Sequence, residues 1–292
     1  MGAGAASGVD VMKKSLIGIL AALTAGSSAF AADLYQPDPP AYIEAPEIQI
    51  TESNGWYLRG DIGYAYNKSR GAEFYQGPFT AGLTDFRSTK LKGGFMGGVG
   101  VGYQINNHFR TDLTFDYMAK SNFRGSTFGS CGVAGSCVST DLSSLRAYTL
   151  MANAYVDLAT FGRFTPYVGA GIGGSYVKWA NLRNTSCEVG DPSNCDPTFT
   201  HGGKGGWRFA YALMAGASID VTCNLKADVG YRFRQIGKGD MFGYDSVGGG
   251  PGRDKGFYSH EVRLGGRYVF GGCDTAQYMP PAEIPIQPAV YK

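Results

Sequence analysis

Apolar and polar residues alternate along Gly55–Asn67, with Trp56, Leu58, Ile62, Tyr64 and Tyr66 on one face and Tyr57, Arg59, Asp61 and Asn67 on the other. A period of two marks a β-strand, whose successive side chains point to opposite sides. The pattern returns in 95–105, where Phe95, Val99, Val101, Tyr103 and Ile105 fall together. It returns again in 109–117, where Phe109, Leu113, Phe115 and Tyr117 oppose Arg110, Asp112 and Asp116. Only Asn106, Asn107 and His108 separate these two runs, enough for a tight turn. The segments RAYTLMANAYVD, TPYVGAGIGGSYV, WRFAYALMAGASID, LKADVGYRFR and SHEVRLGGRYVF continue the series, so the chain predicts eight strands. Residues 68–92, 119–143, 178–205 and 236–257 form long polar connections, and the other three connections are a few residues each.

Long loops on one side and short turns on the other are the pattern of an outer-membrane barrel. The predicted fold is therefore all-β: an eight-stranded antiparallel up-and-down transmembrane barrel with four long outer loops and three short periplasmic turns. A secreted lipocalin-type carrier shares the strand count but turns its apolar face inward. Two features favour the membrane. Aromatic residues stand near the strand ends of the apolar faces (Trp56, Tyr66, Tyr103, Phe109, Tyr117, Trp207, Tyr258, Tyr268 and Phe270), as two interfacial girdles require. The polar faces carry both charge signs: Arg59, Asp61, Arg110, Asp112, Asp116, Arg146, Arg208, Asp228, Arg232, Glu261, Arg263 and Arg267 are the expected lumen network, joined by Asp157, Asp220, Lys226 and Arg234. Glycines 98, 100, 102, 169, 171 and 173 leave room inside for the arginines and tyrosines of facing strands. A barrel of this size is about wide enough for side chains to fill, so no open pore is expected.

The amino end explains how such a chain reaches a membrane. Met12-Lys13-Lys14, an apolar run and the small-x-small ending Ala29-Phe30-Ala31 read as a secretory signal peptide, with cleavage leaving Ala32-Asp33 as the new terminus. Residues 1–11 carry none of that logic and read as an upstream start, 12–31 as the signal and 55–270 as the barrel. Between them, 32–54 holds Pro37, Pro39, Pro40 and Pro46 among acids. It is a stiff extended linker reaching about 70 Å at about 3.1 Å per residue. Residues 271–292 form a second proline-rich periplasmic strip. The net charge of +2 argues against nucleic acid as a partner. The 45 glycines, 19 tyrosines and 17 phenylalanines of the chain agree with β-structure.

Six cysteines in an exported chain imply three disulfides. Cys131 and Cys137 share the second long loop, and Cys187 and Cys195 the third. Cys223 precedes strand seven and Cys273 follows strand eight, so antiparallel pairing brings them together on the periplasmic side. No CxxC or nearby histidine pair points to a metal, and no cofactor is implied. Gly169-Ala170-Gly171-Ile172-Gly173 looks like a phosphate loop but lies within a strand with no helix start behind it. Ser259-His260-Glu261 evokes a triad, yet neighbours on a strand face opposite ways, so no catalytic residue and no enzyme is expected.

The last strand resembles the assembly signal of outer-membrane barrels, with Arg263, Gly265, Tyr268 and Phe270 at its constrained positions, which implies the barrel-assembly machinery as a partner. ADLYQPDPP after the AFA cleavage site and GWYLRGDIGY as first strand resemble the small OmpA/OmpX-like surface antigens of alphaproteobacterial outer membranes. That resemblance implies an outer-membrane location among lipid and lipopolysaccharide. It also implies that Ala32, followed by Asp33, is joined through its amine to diaminopimelate of peptidoglycan by an L,D-transpeptidase. A freed α-amino group has the nucleophilicity for that attack, which makes the chain a substrate. Ligand binding by the loops, of haem or a host surface, and a narrow solute channel are the alternative roles.

Overall fold

The structure, a computed structural model, describes residues 54–75, 82–246 and 249–272, and all of its regular structure there is β. Its long strands are β1 (Gly55–Ser69), β2 (Gly94–Gln104), β3 (Phe109–Ser126), β4 (Cys137–Asp157), β5 (Phe164–Trp179), β6 (Gly205–Asp220), β7 (Leu225–Ile236) and β8 (Phe257–Val269). Each pairs antiparallel with the next in chain order. β8 pairs with β1 from Tyr57↔Val269 to Ser69↔Phe257, so the ladder returns to where it began and leaves these strands no free edge.

Local chemistry fixes the short connections. At 105–108 the Asn106 side chain accepts from the backbone N–H groups of His108 and Phe109, both at 2.8 Å. At 221–224 the Thr222 hydroxyl accepts from Leu225 N–H at 3.0 Å. Side chains that bond nearby backbone in this way are what make Asn and Thr good turn residues. At 158–163, Gly162 takes a positive φ of 64°.

The alternation sorts the side chains in the reverse of a soluble protein. Outward, Phe95 is 74% exposed and Ile62 67%; inward, Arg110 is 1% exposed and Glu261 fully buried. Apolar residues can face outward in bulk only where the surroundings are lipid. From Trp56 to Tyr66 the outward face of β1 runs about 34 Å along the strand at about 3.4 Å per residue. With a tilt of roughly 40° that gives an apolar band about 25 Å tall, the height of such a belt.

The loops are more ordered than their polar composition predicts. β3 continues to Ser126 and β4 starts at Cys137, so most of 119–143 is strand. A bulge hid the β3 part: the register slips between Met118 and Ser121, which both point inward, so the period of two is broken at Ala119-Lys120. Beyond the bulge Phe123 resumes the inward face. Leu182–Glu188 adds a further strand to the end of β4 and pairs in turn with Asp191–Cys195 and Phe199–His201. Ala72–Tyr75, Leu83–Asp85, Gly239–Phe242 and Gly252–Asp254 form a separate small sheet from the first and fourth loops. An apolar cluster including Met96, Met118, Phe123, Leu145, Trp179 and Phe242 fills the loop end of the interior.

Candidate functional site

Inside the ladder, between the short turns and the apolar cluster of the loop end, six arginines meet six carboxylates. Arg59 bonds Asp61 at 2.7 Å and Asp112 at 2.8 Å, and Arg110 bonds Asp157 at 3.0 Å. Asp116 accepts from Arg232 at 2.8 Å and from Arg263 at 2.7 Å. Glu261 receives Arg232 at 2.6 Å and Arg234 at 2.6 Å, and Arg267 reaches Asp228 at 3.2 Å. Balanced charges explain how so many ions are buried: each carboxylate has a guanidinium in reach, without which desolvation would cost several kcal/mol per ion. The void among Arg59, Asp61, Tyr155 and Arg232 is about 20 Å³, room for about one water, and a wider one of about 290 Å³ opens at the turn end beside Asp157, Ser218 and Arg267.

Tyrosines complete this packing. Tyr57 Oη donates toward Asp112 at 3.2 Å, Arg59 donates to Tyr155 Oη at 2.9 Å, and Arg110 lies 4.2 Å from the Tyr155 ring centroid and 4.5 Å from that of Tyr167. The glycines make the room: a Cβ at Gly102 would run into the Tyr57 ring, one at Gly169 into Tyr155, and one at Gly98 into Asp116. Tyr57, Tyr155 and Tyr167 stand at inward positions of their strands, and that parity was the signal available for them.

Two residues expected in the network stand elsewhere. Arg208 points inward but pairs with Asp254 of the small sheet at 2.7 Å, beside the Trp179 indole that donates to the same carboxylate at 3.0 Å. Arg146 is not in the lumen. β4 runs unbulged from Leu145 to Asp157 with its odd-numbered residues inward, so Arg146 lies on the opposite face from Asp157, exposed, with Lys178 as its register partner on β5. The residues of the assembly-signal pattern divide between faces, Arg263 inward, Tyr268 and Phe270 outward with ring centroids 5.3 Å apart.

Strand parity also separates the triad-like residues. Ser259 and Glu261 are buried inward, while His260 faces out and its Nδ1 lies 2.7 Å from Tyr231 Oη. Among the described residues no cluster of three or more His, Cys, Asp or Glu side chains has the geometry to hold a metal.

The loop end is stapled. Disulfides join Cys131 to Cys137 and Cys187 to Cys195, the latter pair directly opposite in register. Cys223 is also disulfide-bonded. Its expected partner Cys273, like Ala32 and Asp33, lies outside the described residues. Next to Cys137 is a cavity of about 190 Å³ lined by Phe74, Phe86 and Phe242 together with Asp141, Asn184 and His201. Burial pushes the Asp141 carboxyl above its ordinary range, partly opposed by the Ser139 hydroxyl and the Asn184 amide that donate to it at 2.5 and 2.6 Å.

A ladder of strands with lipid-facing apolar belts and a charged, filled interior defines an integral outer-membrane barrel. The chain belongs to the outer membrane protein beta-barrel domain family, whose profile matches residues 18–270. An uncharacterised protein of Brucella abortus (strain 2308) is 39% identical over 279 residues, 85% of this chain and 95% of the relative. A candidate adhesin of Rickettsia bellii (strain OSU 85-389) is 30% identical over 223 residues, 74% of this chain and 88% of its own length. Among solved structures, Neisserial surface protein A aligns with a TM-score of 0.43 at 19% identity, covering 75% of this chain and all of that one. The protein is thus a Gram-negative outer-membrane protein.

Proposed function

We propose that the chain forms an eight-stranded transmembrane barrel with its long loops outward and its short turns in the periplasm, and that it fastens the outer membrane to peptidoglycan through Ala32. The observation that carries this reading is the placement of both ends of the ladder. β1 begins beside the end of β8, where Phe270 N–H donates to Trp56 C=O at 3.0 Å, at the same end as the short turns. A linker leaving Gly55 there starts on the wall side, with about 70 Å of reach at about 3.1 Å per residue. The filled lumen supports an anchor in preference to a solute channel. Lipid and lipopolysaccharide surround the barrel; the barrel-assembly machinery and an L,D-transpeptidase are its proposed protein partners.

The test is mass spectrometry of muropeptides released from detergent-boiled sacculi by muramidase and trypsin. A peptide beginning Ala32-Asp33 with a diaminopimelate-containing muropeptide on its amine, lost on replacing both residues, is the expected result. Finding only the free terminus, where other tethers are detected, would sink the tether.

A second reading, surface attachment through the loops, is favoured by the strands that continue beyond the belt into disulfide-closed hairpins and by the relative named as an adhesin. Haem fits poorly there, because about 190 Å³ is below the roughly 300 Å³ at which ligand pockets begin. Excising 182–201 separates the two readings: surface attachment is lost and wall attachment retained if both hold.

A further inference from the structure

The misplaced arginine opens onto a row of cations. Arg146 and Lys178 are register partners on the outward faces of β4 and β5. On the other side of Arg146, the bulge of β3 sets Lys120 opposite it, because Met118 pairs with Ala147 and Ser121 with Leu145. All three are exposed, and none forms an ion pair with a described residue. Like charges directly opposite one another on a sheet are destabilising, so three in a line call for an anion between them.

Their height says which anion. One step down the same strands, in register, lies the row Tyr117, Tyr148, Tyr176 and Trp207, with Tyr117 and Tyr148 rings 5.1 Å apart and Tyr176 and Trp207 rings 5.7 Å apart. Such an aromatic row sits at the membrane–water boundary. Two residues further out is about 7 Å along the strand, at the depth of lipid headgroups. The outward positions above add Arg124 and Arg183, which flank Leu142 in register, and no acid.

We propose that Lys120, Arg146 and Lys178 form a binding site for the phosphorylated sugar headgroup of outer-leaflet lipopolysaccharide, whose acyl chains lie against the aromatic row. The bulge gives Lys120 its place in the row, and Arg146 at the centre supplies a planar fork suited to phosphate oxygens. This inference takes from the proposed function only the outward orientation of the loops and is independent of the tether.

The test uses the full mature chain in nanodiscs carrying a small fraction of bisphosphorylated lipid A, with retained glycolipid read by native mass spectrometry. At about fivefold per cation near a charged headgroup, the K120Q/R146Q/K178Q variant should lose lipid A retention on the order of 100-fold. Dephosphorylated lipid A should bind both proteins alike. R87Q/K238Q/R253Q, which removes three cations from the loops, should behave as the parent chain, and unchanged heat-modifiable migration in gels certifies folding in each case. Equal loss in both triple variants would mean general charge attraction and overturn the site. Undiminished lipid A retention in K120Q/R146Q/K178Q, together with loss of binding to a sulfated oligosaccharide, would assign the row to a soluble glycan and also overturn it.

Discussion

Asp116 is 1% exposed and receives Arg232 and Arg263 directly, with Arg234 at 3.9 Å. Replacing it by alanine leaves buried guanidinium charge uncompensated, so Asp116→Ala should cost roughly 3–5 kcal/mol in urea unfolding from lipid vesicles. Arg146→Ala, at an exposed outward position, should stay within about 0.5 kcal/mol. The contrast checks the assignment of faces: equal losses would return Arg146 to the interior. At this scale the sequence was legible wherever a strand keeps its parity. Arg59, Asp61, Arg110, Asp112, Asp116, Asp228, Arg232, Glu261, Arg263 and Arg267 all stand inward. Arg146 was misread because charge was weighed above parity, although it lies an odd number of residues from Asp157.

Individual elements were harder to read where the backbone departs from regularity. A single bulge at Ala119-Lys120 reverses which β3 positions point inward, and the inward positions of outer β4 include the polar Ser139 and Asp141, so the outer parts of both strands looked like loop. The added strand Leu182–Glu188 pairs only with the part of β4 that this concealed and with its own loop, so it was concealed too. The short turns, by contrast, were visible as Asn106-Asn107-His108 and 221–224, because their bonds are local. Asp141 makes the outer part of β4 testable. Its folded-state pKa lies above the ordinary carboxyl value near 3.8, so protonation favours the folded form. That contribution is complete below the ordinary value and is lost as the pH rises through the raised one. At pH 7.5, well above the ordinary value, Asp141 therefore burdens the hairpin. Asp141→Asn should raise amide protection factors in 137–145 and 182–188 by about several-fold at pH 7.5, the gain shrinking toward pH 4. A gain that persists unchanged at pH 4 would show the effect to be steric.

As a whole, the molecule is closed at two levels by different means. Paired charges and tyrosines pack the middle of the interior, and apolar side chains from the loops gather at the loop end with a small sheet. The charged middle was legible from inward parity and charge balance. The apolar closure was not, because it is assembled from four separate loops whose meeting no local pattern records. Planar bilayers containing the protein should show no discrete conductance steps above baseline. Steps that vanish when Gly102 is enlarged to fill the lumen would instead establish a pore.

The contacts at Asp116 reach across 116 residues to Arg232 and 147 residues to Arg263, and Arg263 lies on the strand that pairs back onto β1. Until the last strands meet the first, these ions have no reason to give up their water. Their pairing thus waits for closure of the ladder, and the expectation is that it forms after the step that limits insertion. Interactions of that kind slow escape from the native state without hastening arrival there. The ionic interior is then a determinant of lifetime: Asp116→Ala barrels should insert at the parental rate and come apart sooner.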